Sequence, residues 1–316
     1  MPDWLEASDV LIVAGKGGVG STTVAAAAAL LAARDGGDVL IVSVDGKPRI
    51  GRLLGGAALT EREAELTRVP GGGRIRGRTI PPQQAFRDYL DLRGIGGLLR
   101  RAAQAASLDV IAASTPGLEH LLVLGKIKEL VRTRAADLIV VDAPPSGHAA
   151  PFLRSAFATQ QVVARGPLRD QADQVAALLA DPARTRAMVV TIPEETPVNE
   201  AVELSADLSD HLGMALTPLV VNCCWPERPG LAMATTTVAR DDGVKITARQ
   251  RSALVASSRF GAARLDVQRA QLERLDERWG PERIELPRLA NPRLDRDDIE
   301  ILADALAGGA RHESSP

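Results

Sequence analysis

The chain has 316 residues, of which 45% are hydrophobic and 25% charged, and its formal net charge is −2. That length suits one α/β domain with a large core, and the balance excludes a disordered or membrane-embedded chain and leaves no bulk attraction for a polyanion. Its two cysteines, Cys223 and Cys224, are adjacent, which excludes a C-x-x-C zinc or redox site, makes a poor disulfide framework and fits a reducing cytoplasm.

The opening "MPDWLEASDV" lacks the basic start and apolar core of a signal peptide, and no apolar run reaches about 18 residues, so no membrane span is expected. Residues 10–14, "VLIVA", read as a buried strand, followed by the glycine-rich "GKGGVGSTT" and the strong helix former "TVAAAAALLAAR". A second strand, "DVLIVSVD", ends in the carboxylate of Asp45. Residues 81–134 are helical by pattern and are expected to form a helical subdomain inserted between strands. Three further strands are "DLIVVD" leading into "APPSGH", "AMVVTIPEE" from Ala187, and "TPLVVNCC" over 217–224. Residues 247–279 read as a long helix and "ERIELPRLA" as a last short strand. The closing helix "DRDDIEILADALAG" has an acidic first turn that suits the helix dipole, and the tail, residues 311–316, is expected to be disordered. Strands alternating with helices predict a single α/β domain over residues 1–310, with a mainly parallel twisted sheet and helices on both faces.

The run from Gly15 to Thr23 almost spells the phosphate loop G-x-x-x-x-G-K-[ST], with Ser21 where the lysine belongs. Glycines at 15, 17, 18 and 20 let backbone N–H groups converge on an anion at a helix N-terminus; the plainer alternative is a turn without a ligand. Thr22 holds the hydroxyl position suited to Mg²⁺, and Asp142, ending an apolar run, the carboxylate position that orders the ion or its water. Asp45 stands at the strand edge where open α/β sheets bind ligands, placed to orient an attacking water. Both aspartates equally suit a turn cap. The basic runs "RIRGR" (Arg74 to Arg78) and "LLRR" (Arg100 and Arg101) are candidates for the surface basic cluster that a DNA-associated regulator would want, with a solvated face the expected reading.

In this order the motifs resemble the deviant-Walker-A ATPases of the arsenical-pump and guided-entry type, the ArsA-type family related to MinD and ParA proteins. "GKGGVG" is similar to the family's signature loop, and its early lysine matches Lys16. The resemblance implies nucleotide binding by Gly15, Lys16, Gly17, Gly18, Val19, Gly20, Ser21, Thr22 and Thr23. "VDGKPRIGRLL" resembles switch I, usually D-P-A-H, and puts Asp45 at the catalytic aspartate. "DAPPSGHAAPFLR" is similar to switch II, with Asp142, Pro145, Ser146, Gly147 and His148 in register, and "TIPEETPVNEAVEL" to the segment after the next strand. Asn222 falls where the family reads adenine, and "LPRL", with Pro287 and Leu289, resembles the later adenine loop. The likeness runs from about Val10 to Leu289. "GIGGLLRR", "TPGLEHLLVLGKIKE" and "RGPLRDQAD" resemble an actinobacterial branch, labelled anion-transporting ATPase, whose members are encoded in neighbouring pairs.

The resemblance implies a P-loop NTPase fold, ATP and Mg²⁺ as cofactors with Thr22 and Asp142 at the metal, and pairing with a paralogous ATPase or, alternatively, a second copy. It further implies that Lys16 reaches across the dimer toward the partner's nucleotide, and that the pair handles an apolar or membrane-associated client from the cytoplasm, peripherally at the membrane. Nucleic acid is not expected as a partner. Some departures narrow this. Paired zinc ligands and scattered arsenite-binding cysteines are absent, and the four methionines do not supply a Met-rich client groove. Ser21 offers a hydroxyl and no charge, and losing such a preorganised contact commonly costs several kcal/mol of transition-state stabilisation, so hydrolysis here is expected to be impaired. A non-enzymatic pseudo-ATPase scaffold, or a regulatory partner of an active paralogue, is the alternative.

Overall fold

The computed structural model describes residues 2–6, 8–44, 49–92, 117–228, 233, 235–279 and 282–309. Asp45, the middle of the expected helical subdomain, the pair Arg100 and Arg101, and residues 310–316 lie outside the described residues.

A short helix α1 (Asp3–Glu6) precedes β1 (Val10–Gly15), whose six residues are all buried. The phosphate loop then leads into α2 (Ser21–Ala33), and β2 (Asp38–Ser43) follows. After α3 (Arg49–Leu53) come β3 (Ala64–Arg68), β4 (Arg74–Thr79) and α4 (Pro82–Leu92). Next are α5 (Leu118–Arg132), β5 (Leu138–Asp142), α6 (Ser146–Val162), α7 (Pro167–Ala180) and β6 (Thr185–Thr191). α8 (Glu195–Ala206) widens into a π turn over Asp207–His211, ahead of β7 (Ala215–Leu216) and β8 (Leu219–Cys224). α9 (Thr235–Asp241), the long α10 (Ala248–Trp279), β9 (Arg283–Pro287) and α11 (Arg296–Gly308) complete the described chain.

The described strands form a nine-stranded sheet in the order β3-β4-β2-β5-β1-β6-β8-β9, with β7 beside β6. Every pairing is parallel except β3 with β4. The central strands are runs of Val, Ile and Leu because both of their faces are covered, as parallel crossover connections require. One face packs on α4 to α8 through Leu121, Phe152, Val175 and Val198. The other packs on α2 and α11 through Val24, Ile299, Leu302 and Leu306.

α2 is buried almost all round, and its alanines explain how. Small side chains let its backbone lie close against the sheet and against α11, while alanine's helix propensity keeps the rod continuous. The N-terminus of α2 is thereby held against the C-terminal edge of β1. No helix among the described residues is long and apolar enough to cross a membrane.

The α/β class, the parallel sheet and the helices on both faces agree with the sequence reading. The antiparallel edge formed by β3 and β4 does not follow from it, and the reading of "RIRGR" as a solvated face is corrected. Ile75 and Gly77 are buried in β4, while Arg74 and Arg76 bind the carboxylate of Asp38 on β2, and Arg76 also pairs with Glu63. Strand alternation hides one half of this run and ion pairs occupy the two arginines.

Candidate functional site

The site is built at the C-terminal edge of the sheet. The loop leaves β1 through Gly15, where an added Cβ would lie 2.5 Å from the carbonyl oxygen of Val190 on β6 and 2.8 Å from a methyl of Val19. It enters α2 through Gly20, whose φ of 89° is the left-handed region. No side chain caps α2. The opening N–H groups of a helix lack intrahelical acceptors, so this end offers donors and the positive end of the dipole to an anion.

Asn222, buried in the second half of β8, locks this loop. Its Nδ2 donates to the carbonyl of Val19 at 2.8 Å, and its Oδ1 accepts from the N–H of Cys223 at 2.9 Å. A Cβ on residue 20 would meet that same Nδ2 at 2.4 Å, so the close approach of β8 is a second reason for glycine there.

Thr22, in the first turn of α2, donates its hydroxyl to both carboxylate oxygens of Asp142, at 3.1 and 3.0 Å. Asp142 is fully buried, opposite Val13 of β1 and Ser43 of β2. A hydroxyl and a carboxylate are hard oxygen donors of the kind Mg²⁺ takes, and here they already share one point beside the loop. Thr22 and Asp142 would hold such an ion together with phosphate and water; no cluster of three or more His, Cys, Asp or Glu suited to a metal occurs among the described residues.

The segment that resembles switch II lies alongside. Pro145 precedes the first turn of α6, and a Cβ on Gly17 would come within 3.8 Å of its ring. Ser146 opens that helix, and Gly147 and His148 are exposed in it. Val44, the residue before Asp45, donates its N–H to the carbonyl of Asp142 at 3.4 Å, which leads the chain toward the same edge.

Lys16 does not turn onto the loop. Its Nζ meets Oε1 of Glu200 on α8 at 2.6 Å, with both side chains about one-third exposed. The pair lines an open cavity of about 670 Å³ together with Gly17, Gly147, Glu203 and Asp207. Sequence alone does not single out Glu200, whose one signal is its place within "TIPEETPVNEAVEL". Ser21 is buried at the start of α2.

At the far end of the edge, Cys224 pairs with Pro287, the N–H of Arg288 donates to the carbonyl of Cys224 at 2.8 Å, and Leu289 packs on the α2 side of the sheet. Burial pushes the Cys224 thiol up to about 12 and that of Cys223 up as well, so neither is a ready thiolate. The fold thus gathers Gly15 to Thr23, Asp142, the start of α6 from Pro145 to His148, Asn222, Pro287 and Leu289 along one sheet edge.

Fold and loop together define an α/β protein of the P-loop NTPase class. Residues 8–166 match the model of the family described as anion-transporting ATPase. ATPase BagA of Mycobacterium tuberculosis is 31% identical over 327 residues, spanning 97% of this chain and 94% of that protein. The arsenical pump-driving ATPases of Escherichia coli and Acidiphilium multivorum are each 28% identical, over 200 and 204 residues, covering 63% of this chain and 32% of their own length. The chain belongs to the anion-transporting, ArsA-type ATPase family.

Proposed function

We propose that this chain is the ATP-binding subunit of an ArsA-type ATPase dimer, paired with a paralogous ATPase, whose nucleotide-driven change of shape acts on an apolar or membrane-associated client. The observation that carries this is the contact of the Thr22 hydroxyl with both oxygens of buried Asp142 beside an intact glycine cradle. In this reading the loop amides from Gly15 to Thr23 bind the phosphates and the α2 dipole adds to the attraction. Thr22 and Asp142 would hold a Mg²⁺ ion, which when bound would offset phosphate charge. Asn222 keeps the loop shaped for the anion, and Pro287 and Leu289 border the base. Asp45 takes the water-orienting role that the family resemblance implies.

Ser21 argues that hydrolysis in this subunit is impaired. Lys16, in the cavity beside switch II, is available to a nucleotide bound by the partner. The chain then works from the cytoplasm, peripherally at a membrane. Arsenite is not proposed as a ligand, because the two cysteines are neighbours and Cys224 is buried. Ser21 also favours a second reading, a pseudo-ATPase that supports an active paralogue without turning over nucleotide.

Calorimetry with Mg-ATP, on the chain alone and on its complex with the paralogue, tests this. Dissociation constants below about 1 mM are expected. Absence of binding in both, with a native circular dichroism spectrum, overturns the first reading and leaves the scaffold.

A further inference from the structure

The chain leaves β8 through Cys223, whose φ is 61°, and Cys224 into Trp225. The main chain of Trp225 is fixed by α10. Its N–H donates to Oε1 of Gln268 at 2.8 Å, and its carbonyl accepts from Nε2 of the same side chain at 3.2 Å. Gln268 is one of the few buried residues of that helix. The indole is met edge-on by Phe260, with ring centroids 5.9 Å apart, and by the guanidinium of Arg264 at 6.0 Å. Arg264 is itself held by Glu194 at 2.6 Å.

On this anchored ring lies Arg288, with its guanidinium carbon 4.2 Å from the ring centroid. Arg288 stands between Pro287 and Leu289, and neighbouring residues of an extended segment point to opposite faces. Leu289 packs against the α2 side of the sheet, whereas Arg288 reaches Trp225, which is fixed to α10 on the other side. Pro287 and Arg288 are both exposed, and beside the backbone bond from Arg288 to Cys224 this side-chain grip ties the segment to the α10 side of the sheet.

We propose that the Arg288–Trp225 contact is a positioning element for the nucleobase end of the site, a role that rests on the nucleotide reading above. By helping to hold Pro287 and Leu289 against the end of β8, it presents a preformed wall to a planar base and spares the ligand the cost of ordering that segment. Neither residue touches the reacting phosphate. Their loss therefore separates base recognition from phosphate binding.

The test uses the whole chain, titrated by calorimetry with Mg-ATP and with inorganic tripolyphosphate plus Mg²⁺. Arg288→Ala is expected to weaken Mg-ATP by about 3- to 30-fold, the range of a partly desolvated cation–π contact, while tripolyphosphate affinity holds. Arg288→Lys retains a cation over the ring and is expected to recover most of the loss. Indole emission should respond to Mg-ATP and not to tripolyphosphate, and Trp225→Phe should abolish that response while Trp4 and Trp279 remain. Equal weakening of both ligands, or unchanged ATP affinity in Arg288→Ala, overturns the proposal. Wild-type binding of tripolyphosphate as tight as that of ATP overturns the base wall and leaves the phosphate loop standing. Binding of neither removes the nucleotide reading and this proposal with it.

Discussion

The ammonium of Lys16 rests on the carboxylate of Glu200 at 2.6 Å, tying the phosphate loop to α8. Both side chains are about one-third exposed, and a pair so solvated contributes no more than about 1 kcal/mol. The lysine is therefore held in place yet cheaply released. Glu200→Gln is expected to change stability by less than about 1 kcal/mol while raising the rate of Lys16 acylation, read by mass spectrometry.

Lys16→Ala is expected to leave this chain's own nucleotide affinity nearly unchanged and to slow hydrolysis by a paralogous partner roughly 10- to 1000-fold. An ammonium set against developing phosphoryl charge in a dry interface contributes far more than in water. Reduced ATP affinity in the isolated chain, with no effect on the partner, would instead place Lys16 over its own phosphates. Both quantities are to be measured on the same variant.

Ser21→Lys restores a cation at the first residue of α2 without altering the backbone conformation at Gly20. Position 21 is buried, so the new side chain gains most where it can extend over the phosphates. Single-turnover hydrolysis in this subunit should rise. A variant that binds nucleotide but turns over no faster than the wild type would locate the defect elsewhere, with the "DGKP" of switch I the first candidate.

Thr22→Ala removes a donor from both oxygens of a carboxylate with no exposed surface. The expected cost is about 1–3 kcal/mol in urea unfolding, together with loss of the Mg²⁺ dependence of ATP binding. Thr22→Ser keeps the hydroxyl and should preserve both. A Thr22→Ala protein with wild-type stability and metal dependence would contradict the assignment of this pair.

Asp38 offers a pH test of the sheet edge. Burial pushes its carboxyl up, but hydrogen bonds and charge from Arg74 and Arg76 outweigh that and hold it below the ordinary carboxylate range. A group with a lowered folded pKa adds stability above its unfolded value, near 4, and loses it as pH falls through the folded value. The melting temperature of Asp38→Asn should thus lie below wild type at pH 7 and converge with it in acid. A constant difference across that range would show the ion pairs to be idle.

Much of the architecture was legible because β1, β5 and β8 are short apolar runs separated by helix-forming stretches. The glycine cradle, Thr22 and Asp142 were legible because their spacing is fixed by one strand-loop-helix unit and one neighbouring strand. What escaped depended on distant partners. β4 alternates arginine with buried residues, and Arg74 and Arg76 both meet Asp38, 36 and 38 positions earlier. Glu200 lies 184 residues from Lys16, and nothing local to either marks the pair. The sequence points Asn222 at a ligand, whereas its bond to Val19 exists only because the fold brings β8 against the loop.

Helix α10 runs for 32 residues, about 48 Å at 1.5 Å per residue, yet its buried residues are Leu265, Gln268 and Leu275, all in its second half. Its early turns are exposed and rely on local propensity, whereas those near Leu275 share the core with the sheet. Amide protons along this single rod should therefore keep two clocks, exchanging quickly by fraying near Ala248 and, toward Trp279, only when the whole domain opens.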